Sequence, residues 1–305
     1  MGAVRNASKG RKDMEIYGKS KLNENTHDKI KKGAQAIEIH TDEYDDFDLL
    51  MQSPIIKQVK IKAVHAPLKQ YDDTRLEHKS SRRVIEKTCQ LADKISTVQR
   101  HKVIVVCHLG THPDELKDLG VYEDIVEFVQ DLADQYQNLE FAIENVTHLE
   151  LANDRIHLRD TNYMAPIILT KDINRKNVGT CLDICHALME MRFMKNTLNY
   201  IKGVVLECQM KQVEKGLSEF FAENKNTIKL IHLATAKEHG LGQYHGKPFE
   251  EDDELFLKGL MKFYYDYNYT CPITIEVQED DYTNGKNFEK TFKLLNKILR
   301  EYKKD

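Results

Sequence analysis

The chain lacks several features that would define its class at once. It has no apolar run approaching the roughly 18 residues of a membrane-spanning helix, which excludes a helical membrane span. No stretch is dominated by proline, glycine or serine and none is low in complexity, so no linker divides the chain. Its cysteines are Cys89, Cys107, Cys181, Cys185, Cys208 and Cys271, with no C-x-x-C zinc knuckle among them. The six are expected to be reduced thiols in a cytoplasmic protein, four of them small buried residues in or beside strands. Basic residues show no excess: 45 Lys and Arg against 49 Asp and Glu give a net charge of −4, with a pI near 6.4. That is no electrostatic footprint for nucleic acid. Tryptophan is absent, and this excludes nothing.

The segment 1–12 is basic and rich in Gly, Ser and Asn, and it lacks the apolar core of a signal peptide. It is expected to be a flexible tail before one domain over 13–305. The chain's 305 residues accommodate a barrel of about 250 with loop insertions. Its 41% hydrophobic and 31% charged residues fit a soluble globular enzyme.

Eight short apolar runs have strand character. The first is Met14-Glu15-Ile16-Tyr17, ended by Gly18, and the second Ala36-Ile37-Glu38-Ile39. The other six run into a histidine or an acid: Val59–Val64 into His65, Val103–Cys107 into His108, Leu139–Ile143 into Glu144, Val178–Leu182 into Asp183, Thr227–Ile231 into His232 and Ile273–Ile275 into Glu276. Between them lie segments with apolar residues at helical spacing: 25–32 closing at Gly33, then 81–100, 122–137, 255–265 and 287–302. Alternating strands and helices predict a single (β/α)8 TIM barrel. In such a barrel all carboxyl ends open on one face, where imidazoles and carboxylates converge as ligands for a divalent ion. The longer connections 147–177 and 186–226, the latter with room for two helices, are expected to extend over that face with 69–73 and 237–253 and to shape a substrate pocket.

The order His65-Ala66-Pro67, His108-Leu109-Gly110, Glu144-Asn145, Asp183-Ile184-Cys185-His186, His232-Leu233, His245 and Glu276 resembles the xylose isomerase-like barrel superfamily. That superfamily holds sugar isomerases and epimerases and the endonuclease IV type of apurinic endonuclease. The resemblance runs from about Met14 to the C-terminus, and its most specific parts are Asp183-x-x-His186 and Glu144-Asn145. For the isomerases and epimerases it implies one divalent ion, zinc or manganese, held by Glu144, Asp183, His232 and Glu276. Glu144 and Glu276 would pass a proton across the carbon beside a sugar carbonyl, and His186 would bind a substrate oxygen. The substrate would be a small sugar or sugar phosphate.

The endonuclease IV type holds three zinc ions with nine ligands, and eight have matching residues here: His65, His108, Glu144, Asp183, His186, His232, His245 and Glu276. At the ninth place stands the neutral Gln243, a poorer ligand. The stretch His232-Leu233-Ala234-Thr235-Ala236 departs from the endonucleases' Asn-Asp-Ser, and their DNA-contacting loops have no clear match. Metal-dependent isomerisation or epimerisation is therefore the first expectation. Phosphoester hydrolysis, with nucleic acid as a partner, is the alternative; a barrel that only binds a ligand is a third reading, against which the complete metal set speaks. His65 and His108 also suit a structural or substrate-binding role, and His245 and Lys247 a substrate anion. Cys185, lacking a separate base, is not expected to be a nucleophile. His101, His112, His148, His157 and His239 are expected at the surface or in loops.

Overall fold

The structure, a computed structural model, describes residues 14–42, 44–67, 75–146, 149–152, 155–158, 164–197, 222, 224–239, 242–281 and 283–302. Its strands are β1 Ile16–Ser20, β2 Ala36–His40, β3 Ile61–His65, β4 Val103–Leu109, β5 Leu139–Asn145, β6 Leu149–Ala152, β7 Arg155–Leu158, β8 Val178–Asp183, β9 Ile228–Leu233, β10 Thr235–His239, β11 Gly242–Lys247 and β12 Ile273–Ile275. Eight of them close a parallel barrel in the order β1-β12-β9-β8-β5-β4-β3-β2. The TIM barrel expected from the strand and helix alternation is the fold observed.

Side-chain alternation divides each barrel strand between two cores. Ile37, Ile39, Val64, Val103, Val105, Phe141, Ile143, Leu182, Ile231, Ile273 and Ile275 join the main core under the helices. Tyr17, Ala36, Ala63, Ile104, Val106, Ala142, Cys181 and Leu230 form a separate apolar cluster inside the barrel. Two residues further along, the same inward parity brings up Lys19, Glu38, His65, His108, Glu144, Asp183, His232 and Glu276. Register sets the levels of this upper layer: His108 pairs with Glu144 and Asp183 with His232, while Glu144 pairs with Cys181, so Asp183 stands two residues further up the barrel than Glu144.

The helices are α1 Thr26–Lys31, α2 Phe47–Met51, α3 Ile55–Gln58, α4 Arg82–Gln99, α5 Pro113–Asp118, α6 Tyr122–Gln135, α7 Ala165–Ile173, α8 Ile184–Thr197, α9 Glu254–Asp266 and α10 Lys286–Tyr302. Of the α4 residues at helical spacing, Ile85, Cys89, Leu91, Ala92 and Ile95 are each fully covered, and Val84 is half-buried against the same core. Each large aliphatic side chain so buried contributes about 1.5–3 kcal/mol relative to exposure. α4 stops where Arg100 turns left-handed at φ 55°. α1 is followed by Gly33 at φ 109° under the Phe292 ring, a conformation and a contact that glycine alone meets without strain.

Some boundaries differ from expectation. β1 runs through Gly18 to Ser20, because Gly18 still pairs with β12 and the parallel pairing with β2 continues to Ser20. β3 starts at Ile61 rather than Val59, since α3 and its cap occupy the preceding residues. Two antiparallel hairpins, β6–β7 and β10–β11, stand where only loops were expected. The tail 1–12, the segment 69–73 and the second helix sought between 198 and 221 lie outside the described residues.

At Gly179 in β8 a Cβ would meet the Thr227 carbonyl oxygen at 2.3 Å, and that oxygen already accepts from Thr180 N. Gly179→Ala is expected to lower stability by about 1–3 kcal/mol through this overpacking. Thermal denaturation measures it, and an unchanged midpoint would mean that β8 and β9 separate freely there.

Candidate metal centre

The upper layer brings six anticipated side chains together, His65, His108, Glu144, Asp183, His232 and Glu276, with the anticipated His186 and His245 beside Asp183, and the local sequence explains how several are aimed. Asp183 ends β8 and opens α8. Its Oδ1 accepts from His186 N at 2.7 Å, the N-cap bond that a helix start favours. The Asp-x-x-His spacing thus presents Oδ2 and an imidazole from one helix end. Asn145 clamps that end: its Oδ1 accepts from Asp183 N at 2.8 Å and its Nδ2 donates to Asp183 O at 3.1 Å.

Three imidazoles share one device. His65 Nδ1 faces the Ala66 carbonyl oxygen at 2.8 Å, leaving Nε2 at 3.1 Å from Glu144 Oε2. His186 Nδ1 faces the Asn145 carbonyl oxygen at 2.7 Å. His232 Nε2 faces Glu38 Oε2 at 3.0 Å, which leaves Nδ1 at 3.2 Å from Glu144 Oε2 and 2.5 Å from Glu276 Oε2. A ring anchored by one N–H presents the lone pair of its other nitrogen, the arrangement that metal-ligating histidines adopt.

The donor atoms fall into overlapping sets, each within 4.8 Å throughout: His65, His108 and Glu144; Glu144, Asp183, His232 and Glu276; Asp183, His186 and His245; Glu38, His65, His232 and Glu276; and Glu144, Cys181 and His232. Several buried atoms in these sets make no hydrogen bond: Glu38 Oε1, both ring nitrogens of His108 and His245 Nε2, while His232 Nδ1 and Glu276 Oε2 meet each other as an ion pair. Buried groups of this kind are costly unless paired or ligated. Imidazole with carboxylate is a donor set that zinc and manganese accept, so the residues present fit a divalent ion.

Electrostatics point the same way. Burial alone would raise the Glu144 carboxyl, but the His232 and His108 rings pull it well below the usual carboxylate range. Burial likewise opposes ionisation of Glu276, and Lys19 and His232 overcome it. Glu38 is held at about 2, against the burial penalty, by His232 and Lys19. His232 is raised well above its ordinary value against its own burial, by Cys181, Glu38, Glu276 and Glu144. Since burial also pushes the Cys181 thiol up, the three carboxylates carry that charge. His108 is pushed down to about 4 by burial.

Lys247 lies two residues beyond His245 on β11, where its backbone pairs with Thr235. His245 is 31% exposed at its side chain and His186 11%. His112, expected at the surface or in a loop, stands in the connection before α5 but is buried and caps that helix, its Nδ1 accepting from Asp114 N; the following Pro113 starts the helix. His101 is half-buried with Nε2 at 2.7 Å from the Ile61 carbonyl oxygen. The side chains of His148, His157, His239 and Gln243 lie outside the described residues.

Three polar neighbours escaped the sequence pattern: Glu38, Lys19 and His40. Lys19 Nζ lies 2.6 Å from Glu276 Oε1 and 3.4 Å from Glu38 Oε1. The one signal in the sequence is an acid inside the apolar run Ala36–Ile39. A cleft of about 480 Å³ opens beside the centre, with Lys19, Asn23, His40, His245, Glu276 and Gln278 in its lining. Among the described residues no helix is long and apolar enough to cross a membrane.

A family model described as xylose isomerase-like TIM barrel matches residues 31–298. Among solved structures, a D-tagatose 3-epimerase-like protein is similar at TM-score 0.59 and 18% identity, over 95% of this chain and 100% of its own. The IOLI protein with a bound zinc atom is similar at TM-score 0.55 and 17% identity, over 94% and 97%. Endonuclease IV from Thermus thermophilus is similar at TM-score 0.56 and 11% identity, over 94% and 99%. At these identities the likeness concerns the fold. No curated protein sequence matches the chain.

His40 gives the centre a pH signature. Burial, with Lys19 beside it, holds its ring at about 3 against an ordinary 6.5. The unfolded chain therefore takes up the proton first, and stability present above pH 6.5 is lost as pH falls. Metal-free protein is expected to lose stability as pH falls from about 6.5 to about 3, and His40→Asn to lose less over that window. Urea midpoints across the range measure both; parallel declines would remove His40 from the account.

Proposed function

The chain belongs to the xylose isomerase-like TIM barrel family, and from that premise we propose that it is a divalent-metal-dependent isomerase or epimerase of a sugar or sugar phosphate. The observation that carries this reading is the pair Glu144 and Glu276 converging on His232 Nδ1 beside a cleft of about 480 Å³, within the roughly 300–1,000 Å³ of small-ligand sites.

The ion would be held by Glu144, Asp183, His232 and Glu276. Zinc is favoured by the imidazole content and by the zinc bound in the IOLI structure; the same donors accept manganese. When bound, it would polarise the carbonyl and hydroxyl oxygens of the sugar. Glu276, 16% exposed at its side chain, reaches the cleft and takes the proton from the carbon beside the carbonyl. Glu144, on taking the proton of a substrate hydroxyl, would return one to the carbon from the other side, and the proton gained by Glu276 would then restore the hydroxyl. Both carboxyls are held ionised, the state a base requires. His186 orients a substrate oxygen, and His245 with Lys247 meets the far end of the substrate. The five described cysteines are buried thiols outside any disulfide, which supports a reducing, cytoplasmic setting.

A second reading, phosphoester hydrolysis of the endonuclease IV type, is favoured by one observation. His65, His108 and Glu144 form a second buried donor set that could hold another ion, as could Asp183, His186 and His245. The net charge of −4 and the neutral residue at 243 count against a nucleic-acid substrate.

Asp183→Ala is expected to lower metal content and abolish activity while the barrel remains folded, at a cost of about 0.5–2 kcal/mol for the lost cap. Elemental analysis with circular dichroism checks it; wild-type metal content would remove Asp183 from the ligand set. On one metal-loaded sample, the first reading expects exchange of a carbon-bound proton of a ketose or aldose with solvent. Glu276→Gln should slow that exchange by about 10²–10⁴-fold. Phosphodiester cleavage without exchange, needing two or more ions per chain, would select hydrolysis instead.

A further inference from the structure

We propose that Glu38 is a positioning residue of the centre: it holds the Nε2 proton of His232 and so fixes which ring nitrogen meets the metal. The inference rests on the reading of His232 as a metal ligand.

Glu38 occupies the middle of β2 between Ile37 and Ile39, with no solvent exposure. A carboxylate so placed is costly unless its oxygens are engaged. Oε2 takes two donors, His232 Nε2 at 3.0 Å and Thr274 Oγ1 at 2.7 Å. Oε1 lies 3.4 Å from Lys19 Nζ. The three partners come from β9, β12 and β1, so the barrel itself fixes the carboxylate's position.

A neutral imidazole has two tautomers, and only the Nε2–H form leaves the Nδ1 lone pair free. Nδ1 is the nitrogen that faces Glu144 and Glu276. A carboxylate acceptor at Nε2 selects that form and restrains ring rotation. His65 and His186 face backbone carbonyl oxygens instead, which no side-chain substitution removes. Glu38 is therefore the place where this device can be tested.

Glu38 also stands within ligand distance of His65, His232 and Glu276, so direct ligation is the competing role. Occupation of Oε2 by two donors and the ammonium beside Oε1 oppose it, because an added cation there would meet Lys19 at close range. Lys19 in turn joins Glu38 to Glu276, so one cation orients both a supporting carboxylate and one at the cleft.

The test is zinc titration against a competing chelator, with stoichiometry, for wild type, Glu38→Ala and Glu38→Gln, beside nitrogen-15 spectra of the zinc-loaded proteins that report which His232 nitrogen carries the proton. Glu38→Ala is expected to keep the wild-type number of ions, weaken zinc binding by about 10–100-fold, and lose the single Nε2–H tautomer. Glu38→Gln keeps an acceptor oxygen without the charge and should fall between the two; it carries the test if Glu38→Ala does not fold. Wild-type affinity in a folded variant would overturn the positioning role, and so would the loss of a whole ion, which would make Glu38 a ligand. Wild-type protein that binds no zinc would overturn the metal reading, and this inference with it.

Discussion

Carboxylates and imidazoles share the mouth of one barrel, and the His232 ring is the contact on which their arrangement depends. It touches Glu38 on one side and Glu144 and Glu276 on the other, all of them on separate strands or strand ends of the same closed sheet. Without a positive charge at that point, the acids would repel one another in a medium that screens them poorly. The raised His232 and the lowered Glu144 and Glu276 are one fact seen from both partners. Lys19 repeats the arrangement beside Glu38 and Glu276. In the metal-free chain a proton and an ammonium supply the positive charge. A divalent ion would take over from the proton, so ion binding and proton release are coupled.

The layer beneath makes this concentration tolerable. Ala36, Ala63 and Ala142 leave room inside the barrel, which Tyr17, Ile104, Val106 and Leu230 fill. Polar side chains are confined to one level and apolar ones to the next, so the costly groups support one another. Asp183 serves both levels of organisation: one oxygen caps α8 while the other faces His186 at 3.6 Å and His245 at 4.0 Å. A residue that closes a helix start and faces the site couples folding to function at a single side chain.

What was legible in the sequence follows from the same geometry. A strand end that runs into an acid or imidazole is conspicuous because the preceding run is apolar, as at Val103–Cys107 and Val178–Leu182. Such ends can be read one at a time. Glu38 is not legible this way, since it lies within its strand, flanked by the buried Ile37 and Ile39. Its role exists only because β9 and β12 bring His232 and Thr274 to it across the barrel. Lys19 is hidden behind Gly18, a residue that weakens a strand pattern, although pairing with β2 carries β1 past it. His112 reads as a loop residue because it stands beside a proline; its burial depends on the helix that Pro113 starts. The two hairpins escape because their strands are short; β6 and β7 alternate apolar and polar residues only briefly, as in Arg155-Ile156-His157-Leu158.

The barrel positions the ligand cluster; the cleft decides what reaches it. Its described lining mixes Lys19, His40 and His245 with the carboxylate of Glu276 and the amides of Asn23 and Gln278. Such a surface can bond to several hydroxyls at once, which suits a polyol more than an apolar ligand. Lys19 belongs to both cleft and centre, since its ammonium contacts Glu276 at 2.6 Å. A substrate oxygen drawn to that ammonium would arrive beside the carboxylate proposed as the base. Recognition and proton transfer would then share one residue, and the reach of Lys19 would set which carbon of the sugar lies within range of Glu276.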